Sequence, residues 1–575
     1  MTETLLDRNM NQLWASLIVN ELVKNGIDTF FISPGNRNVP LIAALAHNQQ
    51  AVKRLTIDER ASAFRALGYA KSSGKAGVLI CTSGTALSNY FPAVIEAYED
   101  ELPLIVISAD RPPELVGSHA NQSIEQTDIY GHFVLEKLNL PCPDESYLPD
   151  ALLSKIDYLI SKKNGPVHIN CPFREPLLDS QDPNWEIPEP YLSSARKMFD
   201  NPKPYTEYLP VQMVPGSLET IEKAIQETER GMVVIGRMAP SVDRRELIRF
   251  VTDLGWPVYC DIASGLKGCV PISLQIPILD HPVALEKVST YQPQTILQFG
   301  TGLVSKHYYQ TILSEQSADL ILVTARSGVR DPAHRVNIKI PIQVDCFVKA
   351  CQTGQFRLSP NQQRDDFLAS VQTHYRRMED KIPINEFSFP LLARLITQTI
   401  PENEALFLGN SIAIRAFDAL RFSTNKTIEI ITNRGVSGIE GNLATSVGYA
   451  ETRPRRITAV IGDISLLHDL NSLMLISPSR TPIILVVPNN QGGKIFDRLP
   501  ARNYPEVLDP YLTTPHDMDF EHAAAQFNLD YSHTAQPQEF EEVYQTALRG
   551  KNNRLIEVSI DPERDLEVLK QMQES

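Results

Sequence analysis

The stretch GDISLLHDLNSLMLISPSRTPIILVVPNNQGG places an acid and an amide at the ends of two successive predicted strands. Ile457 to Ile461 and Ile483 to Val487 are short apolar runs, typical of buried parallel strands, and the residues between them have helical periodicity. Asp463 and Asn490 follow these two runs closely. Because ligands of open parallel sheets lie beyond the carboxyl ends of the strands, the pattern predicts two oxygen ligands side by side.

A divalent cation held against a phosphate is the ligand that such oxygens suit. Mg²⁺ takes one or two protein oxygens together with phosphate oxygens. Asp463, the amide oxygen of Asn490 and a backbone carbonyl of the Gly492 turn would supply three ligands. Either half of the pattern, Gly462-Asp463 or Asn489-Asn490, also occurs in ordinary turns of α/β proteins, so both interpretations stay open from the spacing alone.

A second candidate residue, Glu59, lies far upstream in TIDERASAFRALGYA. Leu55 to Ile57 is predicted to end a strand, and Ala61 to Ala70 is predicted to form a helix. Glu59 is therefore expected at the amino end of that helix, where a carboxylate interacts favourably with the helix dipole. Taken alone, a helix-start acid of this kind is more often structural than catalytic.

Composition sets the broad class. With 575 residues and 42% hydrophobic content, the chain can bury about three domain cores. A formal net charge of −15 opposes nonspecific binding to nucleic acid or anionic membranes. The amino terminus lacks a basic start followed by an apolar core, and no window resembles a membrane span, so a cytoplasmic protein is expected. The seven cysteines form no CxxC pair, which argues against a disulfide framework.

Alternating strand and helix patterns predict an α/β protein of three domains, each a mostly parallel sheet flanked by helices. We expect these domains at residues 1–185, 205–375 and 383–575. The proline-rich stretch from Asp182 to Pro215 is predicted to be a linker. The turns GRMAP and GTGL of the middle domain lack the GxGxxG pattern of a dinucleotide site, so we expect this domain to be structural.

The GD to NN segment resembles the diphosphate-binding motif of thiamine diphosphate enzymes. The resemblance implies a cofactor of thiamine diphosphate with Mg²⁺, or Mn²⁺ in its place. It also implies that residues 1–185 are a pyrimidine-binding domain and residues 383–575 a diphosphate-binding domain. Glu59 matches the catalytic glutamate that contacts the aminopyrimidine ring in this superfamily.

A narrower resemblance rests on motifs that occur in order along the whole chain: SPGNRNVPL, TSGTALSNYFPAVIEAY, ADRPPEL with ANQSI, HINCPFREPL, NRGVSGIEG and NNQGGKIF. With them the chain resembles the 2-succinyl-5-enolpyruvyl-6-hydroxy-3-cyclohexene-1-carboxylate synthases. That family decarboxylates 2-oxoglutarate and adds the succinyl unit to isochorismate in a 1,4 sense, in menaquinone and phylloquinone biosynthesis. The resemblance implies a transferase (a carboligase) that works as a homodimer or homotetramer with sites between chains, and small molecules as its other partners.

The same resemblance implies the site residues. The two substrates bring two carboxylates each, and arginine forks suit carboxylates best. The implied cofactor contacts are Glu59, Ser411, Ile439, Gly462, Ser465, Asn490, Ile495 and Phe496, and the implied metal ligands are Asp463, Asn490 and Gly492. The implied substrate contacts are Asn36, Arg37, Arg111, Asn121, Gln122, Lys306, Ser411, Arg415, Arg434 and Leu499.

Two positions depart from the family pattern. The usual SPGSR reads SPGNR, with Asn36 in place of a serine, and the lysine-arginine pair of the middle domain reads Lys306-His307. Asparagine still donates to a carboxylate, whereas histidine carries less positive charge than arginine near pH 7. The acceptor substrate is therefore specified less firmly than the donor.

Two alternative functions would require different residues in the site. An acetolactate synthase-like carboligase acting on pyruvate would need fewer arginines than Arg37, Arg111, Arg415 and Arg434 supply. A noncatalytic thiamine diphosphate binder would be expected to lack Glu59 or Asp463, and both are present. The sequence favours the dicarboxylate substrate and a working enzyme.

Overall fold

The computed structural model describes most of the chain. The described residues are 9–178, 186–208, 218–240, 242–313, 317–326, 328–351, 361–402, 404–420, 428–453 and 455–574. Within these ranges no helix is both long and apolar enough to cross a membrane.

The strands of the described ranges form three sheets whose neighbours all run parallel. The first, in the order β2-β1-β3-β4-β6-β5, contains β1 Thr29–Ile32, β2 Val52–Leu55, β3 Gly77–Cys81, β4 Leu104–Asp110, β5 Glu136–Asn139 and β6 Pro166–Pro172. The second, in the order β11-β10-β9-β7-β8, contains β7 Gly231–Ile235, β8 Val258–Cys260, β9 Thr295–Phe299, β10 Asp319–Val323 and β11 Val336–Ile340. The third, in the order β13-β12-β14-β15-β17-β16, contains β12 Ala405–Leu408, β13 Glu429–Thr432, β14 Ile457–Val460, β15 Ile483–Asn489, β16 Asp530–Thr534 and β17 Arg554–Ser559.

Helices connect the strands. The described α-helices are Met10–Lys24, Val39–His47, Glu59–Ser73, Thr85–Asn89, Phe91–Asp100, Pro149–Ile160, Glu189–Asp200, Glu219–Glu227, Arg244–Leu254, Pro282–Tyr291, Val344–Cys351, Gln362–Glu379, Phe389–Thr399, Ile412–Ala419, Asn442–Ala450, Asp463–His468, Pro505–Val507, Glu521–Gln526, Pro537–Arg549 and Pro562–Gln573. The predicted architecture, α/β with three parallel sheets flanked by helices, is confirmed.

The segment after β14 differs from its prediction. Helical periodicity predicts one helix between the two strands, but an α-helix spans Asp463–His468 and a short 3-10 helix follows over Leu470–Leu475. Gly462 is the N-cap residue, so the acid that the sequence placed after the strand is the first residue of the helix. The turn between strand and helix is therefore tighter than periodicity indicated.

The proline-rich stretch from Asp182 to Pro215 is not a simple linker. Part of it lies outside the described residues, but the helix Glu189–Asp200 lies inside it. Proline is tolerated in the first turn of a helix, where its missing N–H has no partner to lose, and here a proline stands at the helix start. Tyr191 is buried in the core of the first sheet and accepts a hydrogen bond from Trp14 Nε1 at 2.9 Å.

The chain divides into two compact units, residues 1–211 with 435–453 and residues 212–434 with 454–575. The first unit thus contains the helix Asn442–Ala450, which the sequence placed in the third predicted domain. The second unit contains the second and third sheets. The exact boundaries of 1–185, 205–375 and 383–575 stay a prediction.

Two glycines let the helices Glu59–Ser73 and Asn442–Ala450 approach each other closely within the first unit. A Cβ on Gly448 would lie within 3.0 Å of the carbonyl oxygen of Arg65, and one on Gly68 would lie equally close to the carbonyl oxygen of Thr445. Backbone atoms cannot move aside as a flexible side chain can. The packing therefore ties the helix that begins at Glu59 to the segment that follows Ile439.

Replacing Gly448 by alanine is expected to destabilise the first unit. The added methyl group meets backbone, and overpacking of about 1–3 kcal/mol exceeds the gain of about 1 kcal/mol in helix propensity. Urea denaturation followed by circular dichroism measures the loss. Gly550→Ala is the matched control, because a Cβ there has ordinary contacts at 3.4 Å. Equal midpoints for both variants would contradict the close approach.

Candidate functional site

Asp463 lies where β14 ends, beside the turn that follows β15. The residue as a whole is 3% exposed. Oδ2 accepts a hydrogen bond from Gly492 N at 3.0 Å and Oδ1 accepts one from Ile464 N at 2.7 Å. Burial raises the pKa of the Asp463 carboxyl, and these hydrogen bonds oppose the rise. The structure thus brings together the aspartate and the glycine turn that the sequence placed at neighbouring strand ends.

The two asparagines after β15 face different partners. Asn489 Nδ2 donates to the carbonyl oxygen of Met518 at 2.9 Å and to Glu557 Oε1 at 2.7 Å, so this side chain ties β15 to β17. Asn490 is buried beside Asp463, and its backbone hydrogen bond is among the contacts that lower the aspartate's pKa. The Asn489 side chain is thus used within the fold, and Asn490 remains the predicted ligand of the two.

The turn after Asn490 requires glycine. Gly492 has φ +143°, and a Cβ there would lie 2.5 Å from the carbonyl oxygen of Thr513. Gly493 N donates to the same carbonyl at 2.6 Å. A side chain at Gly492 would push the turn away from Asp463.

His516 is a residue of this site that sequence reasoning missed. Its Nε2 lies 3.4 Å from Asp463 Oδ2, and both side chains are 5% exposed. Met518 N donates to His516 Nδ1 at 3.2 Å, which leaves Nε2 to carry a hydrogen toward the carboxylate. The sequence HDMDF around His516 matches no motif that would indicate a site. Only the fold, which returns this loop to the end of β14, brings His516 to Asp463.

These residues fit a divalent cation with a phosphate. A buried carboxylate, an amide oxygen and backbone carbonyls are hard oxygen donors of the kind that Mg²⁺ prefers. Within 4.0 Å, in the part of the chain that is described, the ionisable partner of Asp463 is His516 and not a lysine or arginine. A Cβ on Gly462 would meet nothing within 4 Å, so the backbone before Asp463 borders open space. Ser465, two residues after Asp463, is buried on the same helix.

The substrate candidates of the third sheet lie after β12 and β13, which are neighbours. Asn410 joins the two strand ends: its Nδ2 donates to the carbonyl oxygen of Asn433 at 2.9 Å, and its Oδ1 accepts from Arg434 at 3.0 Å. Ser411 has φ +71°, a conformation that costs a residue with a side chain about 1–3 kcal/mol and is typical of functional sites. Arg415, one turn further along, donates to the carbonyl oxygen of Ser411 at 2.8 Å.

A second arginine, Arg498, lies near Arg415. It pairs with the buried Asp565 at 2.7 Å. Burial lowers the pKa of the Arg498 guanidinium, Asp565 opposes this, and the positive charge of Arg415 adds to the lowering. Ile495 and Phe496 precede it in a short 3-10 helix and are half-buried, and Leu499 follows it with 40% exposure. Ile495, Phe496 and Leu499, which are predicted to line the site, thus lie next to the guanidinium-bearing Arg498.

Glu59 begins the helix Glu59–Ser73 of the first unit. The preceding Asp58 is the N-cap and accepts from Ala61 N at 3.1 Å, so Glu59 itself is not needed as the cap. Its half-buried carboxylate accepts from Asn89 Nδ2 at 3.2 Å. Burial raises the pKa of the Cys81 thiol at the end of β3, and the charge of Glu59 adds to that rise. The glutamate therefore lies at the carboxyl edge of the first sheet.

Arg37 and Arg111 lie at the same edge, after β1 and β4. The buried Arg37 donates to the carbonyl oxygen of Phe173 at 2.8 Å and pairs with Glu175 at 3.0 Å. Burial lowers the pKa of the Arg37 guanidinium, and the charge of Arg111 adds to this. Two neighbouring guanidinium groups are a suitable place for an anionic group.

The other predicted residues of the first unit are more exposed. Asn36 and Asn121 are exposed. Gln122 has φ +57° and donates from Nε2 to the carbonyl oxygen of Ser83 at 3.0 Å, which fixes its loop next to β3. Ile439 is half-buried in the segment before the helix Asn442–Ala450, where its carbonyl accepts from Asn442 Nδ2 at 2.9 Å.

Comparison with known families covers nearly the whole chain. Residues 14–129 match the N-terminal TPP binding domain of thiamine pyrophosphate enzymes, residues 189–408 the middle domain, and residues 415–558 the C-terminal TPP binding domain. A 2-succinyl-5-enolpyruvyl-6-hydroxy-3-cyclohexene-1-carboxylate synthase of Syntrophus aciditrophicus (strain SB) is 50% identical over 573 residues, with 99% of each chain covered.

The chain belongs to the 2-succinyl-5-enolpyruvyl-6-hydroxy-3-cyclohexene-1-carboxylate synthase family. A synthase of the same name from Chlorobium phaeovibrioides (strain DSM 265 / 1930) is 34% identical and covers 96% of this chain and 94% of the relative. Membership of this synthase family makes the chain a thiamine diphosphate-dependent enzyme, a carboligase of the transferase class. The family resemblance stated from the motifs is confirmed.

A solved structure shows the same fold outside the synthase family. It is the thiamine diphosphate-dependent 4-hydroxybenzoylformate decarboxylase of Rhodococcus jostii RHA1, with a TM-score of 0.69 at 17% identity, covering 95% of this chain and 99% of that chain. At this identity the likeness establishes the fold alone.

A buried network of polar side chains on β4 and β6 contacts the backbone of Arg111 through Asp110. Asp110, at the end of β4, accepts from Arg111 N at 2.7 Å and from Asn170 Nδ2 at 2.8 Å. Ser108 Oγ lies 2.8 Å from Asn170 Oδ1 and 2.7 Å from His168 Nε2. Burial lowers the pKa of His168 to about 3, so the ring is neutral at physiological pH.

His168 is expected to make the protein less stable in acid. Between the ordinary value of 6.5 and a pKa of about 3, the unfolded chain binds a proton that the folded ring refuses, so stability falls as the pH falls through this window. His168→Gln should therefore lose less unfolding free energy between pH 7 and pH 4 than the wild type in urea titrations. The exposed His47→Gln serves as control, and a wild-type slope in His168→Gln would contradict the assignment.

Proposed function

We propose that the enzyme decarboxylates 2-oxoglutarate and adds the succinyl unit to isochorismate in a 1,4 sense, using thiamine diphosphate and Mg²⁺. The product would be 2-succinyl-5-enolpyruvyl-6-hydroxy-3-cyclohexene-1-carboxylate, the compound in the names of its relatives. The place of the reaction would be menaquinone or phylloquinone biosynthesis. A cytoplasmic homodimer or homotetramer belongs to the same proposal.

One observation carries the proposal most directly: the buried Asp463 carboxylate lies against the Gly492 turn, next to Asn490. Removing a carboxylate from water costs several kcal/mol unless an opposite charge compensates it. Backbone hydrogen bonds from Gly492, Ile464 and Asn490, together with His516, offset part of that cost. A divalent cation bound by Asp463, Asn490 and the Gly492 carbonyl would offset the remainder and attract a diphosphate.

When bound, thiamine diphosphate supplies the nucleophilic carbon and the electron sink for the loss of carbon dioxide from a 2-oxo acid. Glu59 would hold a proton against the aminopyrimidine ring. Its position supports this role, because the N-cap is provided by Asp58 and the carboxylate is anchored by Asn89. Ser411, Gly462, Ser465, Ile439, Ile495 and Phe496 would make the remaining cofactor contacts.

The arrangement of cations supports dicarboxylate substrates. Arg415 and Arg434 lie at adjacent strand ends of the third sheet, and Arg37 and Arg111 lie together at the edge of the first. Each charged hydrogen bond to a carboxylate contributes about 1.5–3 kcal/mol. Asn36, Asn121, Gln122, Lys306 and Leu499 would complete the substrate contacts. Pyruvate has one carboxylate and would leave some of these cations without a partner.

The decisive experiment is mass analysis of the product. Purified protein with Mg²⁺ and thiamine diphosphate is expected to convert 2-oxoglutarate and isochorismate into the product named above. It should also consume 2-oxoglutarate in preference to pyruvate, because of the additional carboxylate. Equal turnover of pyruvate would favour an acetolactate synthase-like carboligase instead.

Two variants separate cofactor binding from catalysis. Asp463→Ala is expected to abolish Mg²⁺-dependent binding of thiamine diphosphate, measured by isothermal titration. Glu59→Gln is expected to retain binding but to lose exchange of the C2 proton of the bound cofactor, measured by NMR, because the amide cannot share a proton as the acid does. Asp509→Asn and Glu145→Gln, both exposed, are the matched controls. Full activity in either test variant would contradict the assigned roles.

A further inference from the structure

The loop after β9 carries Lys306 and His307, and the interior of the second unit holds it rigidly. Val304 N donates to the fully buried Asp261 at 2.6 Å. Val304 also belongs to the same hydrophobic cluster as Ile412 and Ala413, which begin the helix that carries Arg415. The loop of the second sheet and this helix of the third sheet therefore share one core.

Asp280 is the side chain that fixes the exposed end of this loop. It lies just before the helix Pro282–Tyr291. Its Oδ1 accepts a hydrogen bond from the buried Ser305 Oγ and lies 3.1 Å from His307 Nδ1. The side chains of His307 and Asp280 are 38% and 30% exposed, so the pair borders solvent and not the core.

The charge of Asp280 also reaches Arg415. Burial lowers the pKa of the Arg415 guanidinium, and the carboxylates of Asp280 and Asp418 oppose that lowering. Asp418 is committed elsewhere: it accepts from Tyr259 OH at 2.8 Å, Ile262 N at 2.9 Å and Lys267 Nζ at 2.9 Å. Asp280 is thus a partly exposed carboxylate that contacts His307, and its charge also acts on Arg415.

The contact with Asp280 determines which ring nitrogen of His307 faces outward. Once Nδ1 donates to the carboxylate, Nε2 points to the opposite side of the ring, and it can donate to a second carboxylate there when both ring nitrogens carry a hydrogen. An arginine presents several donors in a fixed fork and needs no such orientation, whereas an imidazole offers two nitrogens and must be turned correctly. His307, which stands in the position of the family's arginine, is therefore oriented by its contact with Asp280.

We propose that Asp280 is a positioning residue of the substrate site, which turns His307 so that Nε2 meets a carboxylate of the acceptor substrate. The inference rests on the proposed function, since the donor and acceptor are the two dicarboxylates assigned there. It adds a residue that the motifs did not indicate.

Asp280→Asn tests the role of Asp280 because it keeps the shape of the side chain and removes its charge. The KM for isochorismate is expected to rise roughly fivefold to tenfold, since His307 loses a charged hydrogen bond. The KM for 2-oxoglutarate is expected to stay within about twofold of the wild type, because the contact that is lost is the one to His307. General loosening of the fold would raise both constants together and lower the melting temperature, and this result would overturn the proposal.

Rescue provides the second readout. In Asp280→Asn combined with His307→Arg, the guanidinium does not depend on Asp280 for its direction, so the KM for isochorismate should return to within about twofold of the wild type. Asp319→Asn, an exposed aspartate on β10, is the control and should change neither constant. Failure of the arginine to restore the KM would show that Asp280 does not act through His307.

A binding measurement distinguishes failure of this inference from failure of the proposed function. Glutarate, a dicarboxylate without the oxo group, is titrated into the enzyme loaded with Mg²⁺ and thiamine diphosphate. Equal binding to Asp280→Asn and to the wild type is expected whether or not isochorismate is converted, because the contact that is lost is the one to His307. Weaker binding to Asp280→Asn would show a general disturbance of the site and overturn the specific role of Asp280, and turnover by the wild type decides the proposed function separately.

Discussion

The burial of one carboxylate, that of Asp463, is the constraint on which the third sheet's site depends. A charge removed from water is costly, so every group around it is arranged to compensate. Gly492 must lack a side chain for its N–H to reach the carboxylate, and β14 and β15 must be neighbours for the turn to stand there at all. Asn489 then locks β15 to β17 through Glu557. The pairing of β14, β15 and β17 thus fixes the surroundings of the two Asp463 carboxylate oxygens.

The second unit also contains buried carboxylates that accept backbone hydrogen bonds, at the place where its two sheets meet. Asp261 and Asp418 are both buried, and each accepts backbone N–H groups from loops. A loop held in this way needs no secondary structure of its own to be rigid. The acids join the loop of Lys306 and His307 to the helix of Arg415, so residues from different sheets keep a constant relation within this unit.

The elements that depend on local pattern could be predicted from the sequence. Apolar runs located β14 and β15, and the strand-end rule placed Asp463 next to the Gly492 turn. The sequence did not indicate the roles of His516, Asp280 and Asn489. Each acts through a contact with a distant part of the chain, and such contacts leave no periodic pattern in the sequence. The helix Glu189–Asp200 could not be predicted, because prolines at its start also indicate a break in regular structure.

The packing of Gly68 against the helix Asn442–Ala450 has a consequence for synthesis on the ribosome. The first unit is discontinuous, and its last helix is translated only after the whole of the second sheet and part of the third. Until then the helix that begins at Glu59 has an uncovered face of small residues in the nascent chain. The earliest part of the polypeptide therefore completes its core late, and a truncated gene product ending before residue 435 would keep that face exposed to solvent and chaperones.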